Sequence, residues 1–169
     1  MSSTTDPEQR AEAAAFAADY LAIAHSIAGL GPNSTVEDAD RVADEFERFY
    51  GTDPVTASMR VWQAANVGAL LVAAALRKVH GAGVDGAFWA LHPPATHDPA
   101  NDRHIMPAMQ AVTACLNDEV ATANDIVSAH FKATRAVSDS DTAHEALAEI
   151  VNHHMAMLAD LINAGAFEK

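Results

Sequence analysis

The chain has 169 residues, half of them hydrophobic but only 6% aromatic, and a formal charge of −13 from 23 acidic against 10 basic side chains. This length supports a core without disulfide or metal staples, and the single Cys115 excludes a disulfide framework or a multi-cysteine zinc site. The negative charge repels nucleic acid phosphates and anionic lipid, so no direct nucleic acid binding is expected.

Residues 1–5 read as a disordered start that lacks the basic and apolar regions of a secretory signal. The most apolar run, Val67 to Leu76, is about half the length needed to cross a bilayer. The expectation is a cytoplasmic protein away from the membrane.

Asp6 and Pro7 open a first helix that ends near Ala28, before Gly29, Gly31 and Pro32. Phe16, Tyr20, Ile23 and Ile27 recur at helical spacing and mark its core face, with His25 on the other side. Ser34 or Thr35 caps a second helix that buries Val42, Phe46, Phe49 and Tyr50 and stops at Gly51. A third helix, about residues 54–80, starts at Pro54 with Asp53 or Thr52 as its cap and ends in Arg77, Lys78 and His80. It is apolar nearly all round apart from Gln63, Asn66 and Arg77, which predicts a central position. A short helical piece is expected at 84–91, then a loop from His92 to His104 whose prolines forbid continuous helix.

Pro107 opens a long helix to about Val137, with a possible break at Asn117-Asp118. Its apolar face reads Met109, Val112, Leu116, Val120, Ala123, Val127 and Phe131. After a turn at Ser138 to Asp141, a last helix from about Thr142 to Asn163 carries the stripe Leu147, Ile150, Val151, Leu158 and Leu161. The sum is an all-α bundle of five or six helices, with a central apolar helix and a long helical hairpin at the C-terminus. One helical domain spans 6–165 and a tail spans 166–169.

His154 lies four residues from both Ile150 and Leu158, so its imidazole faces the core. His130 and Glu119 fall on the inward side of the preceding helix, and the three together form a candidate site for a divalent metal or for acid–base chemistry. A hydrogen-bonded core histidine is the commoner reason for such a residue. Glu149 and His153 are read as an outward i,i+4 pair. His92, His97, Asp98, Asp102 and His104 form the densest set of possible ligands, although turns and caps use the same residue types.

No phosphate-binding glycine loop, nucleophile elbow or dinucleotide fingerprint is present, and no cofactor is expected. The leading expectation is a non-enzymatic helical module that binds a protein partner, including another copy of itself, because alanine-rich faces permit close helix packing. The alternatives are an enzyme or sensor with the buried His/Glu site, and a small-molecule sensor with an apolar pocket.

Overall fold

The computed structural model describes residues 6–81, 89–92, 103–137 and 140–167. Six helices account for most of these: α1 (Pro7–Ala28), α2 (Val36–Tyr50), α3 (Pro54–His80), α4 (Ile105–Leu116), α5 (Val120–Val137) and α6 (Ser140–Asn163). No strand occurs among the described residues. The expected disordered start, the turn residues Ser138 and Asp139, and most of the short helix at 84–91 lie outside them. Trp89 to Leu91, the end of that piece, are not helical.

The first three helices begin where local chemistry tells them to. The Asp6 carboxylate accepts from the Glu8 amide at 3.1 Å. Thr35 and Asp38 form a reciprocal capping box, and Asp53 accepts from the Thr56 amide at 2.8 Å. Each satisfies amides that the first helical turn leaves without partners.

Helix α3 packs against all five other helices. By length and composition it could cross a bilayer, with mean hydropathy 1.3 over its most apolar window. In this fold its small residues serve another purpose. Ala64, Ala65, Gly68, Ala69, Val72 and Ala73 are buried on the face that meets the other helices. α6 supplies the bulk opposite, with Leu147, Ile150, Val151, Met155 and Leu158 almost wholly buried. Small residues let the helix axes approach closely, and the long side chains of α6 fill the space that approach leaves.

The long helix expected from Pro107 is two helices. α4 ends in a Schellman motif, in which the Glu119 amide donates to Ala114 O at 2.8 Å and the Asp118 amide to Cys115 O at 3.1 Å. Asp118 takes the left-handed conformation at φ +62°, one that aspartate tolerates better than most residues. The break leaves the rest of that face in place, with Ala123 and Val127 buried as expected. Val120, expected on the core face, is 42% exposed at the first position of α5. A second Schellman turn ends α6 at Gly165, φ +88°, with the Ala166 amide donating to Leu161 O at 2.9 Å. Ala166, expected in a free tail, is therefore buried, and Phe167 packs beneath Lys78 at 5.5 Å.

Arg77 closes the end of α4. Its guanidinium donates to Leu116 O at 2.6 Å, to Cys115 O at 3.3 Å and to the Asp118 carboxylate at 2.8 Å. Of the three polar residues that interrupt α3, only Gln63 is exposed; Asn66 is half-buried and donates to Trp62 O at 2.9 Å. Replacing Arg77 with Met should lower unfolding free energy by about 1 to 2 kcal/mol in urea titrations, since buried carbonyls lose a charged donor. Asp118→Asn should stay within about 0.5 kcal/mol, because that carboxylate is exposed and its ion pair is screened.

Candidate functional site

Two histidine arrangements and one helix face stand out. His154 is fully buried on α6, as its spacing predicts. Its Nε2 donates to Ala108 O on α4 at 3.1 Å. Burial lowers its pKa to about 4, with the carbonyls of Ala108 and Ala65 pulling weakly the other way. The ring is thus neutral at physiological pH, with its proton on Nε2 and a lone pair on Nδ1.

That lone pair faces the place where α1 crosses α3. A Cβ built on Gly68 would lie 2.5 Å from Tyr20 Oη and 2.9 Å from His154 Nδ1, so both polar atoms converge on the bare Cα of the glycine. Both atoms are buried, and neither has a hydrogen-bond partner. Burial also holds the Tyr20 phenol well above its usual pKa. One is a donor and the other an acceptor, which makes the pair complementary.

The second arrangement lies between α4 and α5. His104 occupies the N-cap position of α4 without capping it. Its Nδ1 meets His130 Nε2 at 2.8 Å, and Arg103 Nε donates to its Nε2 at 3.0 Å. Arg103 can only donate, so His104 Nε2 accepts, His104 Nδ1–H donates, and His130 Nε2 accepts. Both rings are neutral in that donor order. Burial, His130 and Arg103 lower the pKa of His104, and burial and Arg103 lower that of His130.

The expected set of His154, His130 and Glu119 is not assembled. His130 turns to His104, His154 turns to Ala108, and Glu119 is an exposed residue of the Schellman turn. Among the described residues no group of three or more His, Cys, Asp or Glu is placed to hold a metal ion, and we assign none of these three as a ligand. His153, expected outward, is half-buried and acts electrostatically on His104. Of the expected loop cluster, His104 is central, His92 is exposed, and His97, Asp98 and Asp102 lie outside the described residues. Spacing and polarity do not single out Gly68. Its one signal is that of a lone glycine in the middle of a helix otherwise rich in alanine, which costs helix propensity unless close packing demands it.

The third feature is the outer face of α1. Ala11, Ala14, Ala15, Ala18 and Ala22 are all exposed. They form a stripe on the side opposite Tyr20 and Ile23, which are buried. Beside it, between α1 and α3, lies a cleft of about 470 Å³ bordered by Glu12, Phe16, Asp19, Arg60, Gln63 and Val67. A second cleft of about 320 Å³ continues past Asp19 and Arg60 to Glu45, Arg48 and Phe49 of α2. Arg60 separates the two, donating to Phe49 O. Comparison with protein-family models, with curated proteins and with solved structures finds no match.

Gly68→Ala should destabilise the fold by about 1 to 3 kcal/mol despite the better helix propensity of alanine, because the new methyl overlaps two rigid, buried side chains. Tyr20→Phe in the same chain should recover part of that loss, which chemical denaturation of the single and double variants measures.

The depressed pKa of His154 also sets a pH dependence. An imidazole has a pKa of about 6.5 in the unfolded chain and about 4 here, so on acidification the unfolded state takes up the proton first. Stability is full above about pH 6.5 and should fall by roughly 3 kcal/mol towards pH 4. Melts across that range should show a shallower decline in His154→Gln.

Proposed function

We propose that this is a non-enzymatic helical module that acts by binding protein, and that the outer face of α1 associates with the same face of a second copy. The observation that carries the reading is the alanine stripe from Ala11 to Ala22. All its members are exposed, and they recur at the three- and four-residue spacing of a helix–helix seam. Alanine at such a seam lets two backbones come close and loses no side-chain entropy on association. From Pro7 to Ala15 every residue of α1 is exposed, so this end of the helix is open to a partner along its whole circumference.

The flanking clefts suit a protein neighbour better than a small apolar ligand. They are open and edged by Glu12, Asp19, Arg48 and Arg60, in keeping with the polar rim of a protein interface. An enzymatic reading gains less support. The most strongly perturbed imidazole, His154, is sealed from solvent and from any substrate.

A second copy is also the occupant for which charge gives a direct test. Each chain carries −13, so pairing works against mutual repulsion, and added salt relieves it. Sedimentation velocity should show a reversible dimer whose affinity rises between about 50 and 500 mM salt, whereas an acidic face that awaits a basic partner would leave the chain monomeric. Ala15→Glu, a helix-compatible change at an exposed position, should weaken self-association at least about tenfold by placing two carboxylates in the seam. A monomer at about 100 µM at every salt concentration, or an unchanged dimer in Ala15→Glu, overturns the proposal.

A further inference from the structure

The His104–His130 pair joins two helices by one hydrogen bond between neutral rings, and it stands at one end of a longer connection. The Ala108 amide donates to His104 O at 3.2 Å, and the Ala108 carbonyl accepts from His154 Nε2 at 3.1 Å. The first turn of α4 thus lies between the half-buried pair and the buried imidazole of α6. We infer that the His104–His130 hydrogen bond is a proton-operated latch, which holds the first turn of α4 against α5 while at least one ring is neutral and opens when both are charged.

The chemistry comes from the donor order. One added proton leaves the bond in place, because a charged His104 still donates from Nδ1 to His130 Nε2; a second, on His130 Nε2, puts two N–H groups face to face across 2.8 Å, and the bond is lost. A proton added to His104 Nε2 opposes the Arg103 Nε–H and places a second cation beside the guanidinium. The surrounding groups bias the pair towards neutrality. Arg103 opposes a charge on both rings, His153 on α6 opposes one on His104, and Glu149 on α6 alone favours it. His104 also sits at the positive end of the α4 dipole. Next to His130 in α5, Phe131 meets Trp62 and His144 edge-on, with ring centroids at 5.8 and 5.6 Å, so the latch adjoins a ring cluster that ties α3, α5 and α6.

Opening reaches beyond the pair. When the first turn of α4 loosens, the Ala108 carbonyl withdraws from His154, whose own neutrality depends on burial. Acid therefore acts on the half-buried pair first, and the buried histidine responds second. Histidine is suited to this because its ordinary pKa lies within the range that cells traverse.

Nuclear magnetic resonance of the full chain tests the latch. At about pH 7.5 the ring nitrogen shifts should place the proton of both His104 and His130 on Nδ1, the less common tautomer. Between about pH 7.5 and 5, hydrogen exchange of the Ala108 and Met109 amides, corrected for intrinsic rates, should accelerate about tenfold more than that of the α3 core amides, which carry only the global loss of stability. His130→Gln keeps an acceptor for His104 but cannot titrate, and should remove that pH dependence. An Nε2–H tautomer or a charged ring on His130 at about pH 7.5 overturns the latch. So does unchanged exchange in the wild-type chain, or the wild-type pH response persisting in His130→Gln. The tautomer measurement needs no variant and stands even if His130→Gln does not fold.

Discussion

The close approach of α1 and α6 to α3 at Gly68 is the constraint on which the rest of the bundle depends. With no side chain at that point, a tyrosine from one neighbour and a histidine from the other reach the same few ångströms of backbone. The alanines above and below extend the approach along α3, and the bulky residues of α6 are buried because of it. In chemical terms the core is asymmetric, with room on one helix and volume on another. Such a core gains from dispersion contacts at short range but has little capacity to absorb an extra methyl group.

Two kinds of polar group share this interior. Asn117 is held on several sides: its side chain accepts from the Trp89 amide and donates to the Trp89 and Thr113 carbonyls, pinning the otherwise irregular segment at Trp89 to the end of α4. His154 is held on one side only, by Ala108, and its other nitrogen faces Tyr20 without bonding to it. A buried group with one unmet atom is a standing cost to stability. That unmet atom lies where α1 crosses α3, whereas the bonded nitrogen reaches the first turn of α4.

Helix ends and apolar stripes are local properties, and residue order therefore reveals much of this fold. The caps at Asp6, Thr35 and Asp53, the stop at Gly51 and the inward direction of His154 depend on residues within a turn or two of one another. The break at Asn117-Asp118 is legible as a possibility. The exposure of Val120 is not, since the turn makes it the first residue of α5 while Ala123 and Val127 keep the expected core face. The partner of His130 escapes for a related reason. A helical register states which way a side chain points, but the distance to another helix depends on how the two are packed, and a histidine at the end of a proline-rich segment carries no sign of the helix it precedes.

Residue order alone dictates that the chain is helical, where most helices begin and end, and which stripe most of them bury, because hydrogen bonding and amphipathic spacing act over a few residues. Packing in three dimensions makes Gly68 a contact point rather than a weakness in α3. It also turns Arg77 towards the end of another helix rather than towards solvent, and pairs His130 with His104 rather than with His154. Those outcomes depend on the close approach of segments far apart in the chain, and hydrogen bonds of about 3 Å are fixed by packing that no periodicity encodes.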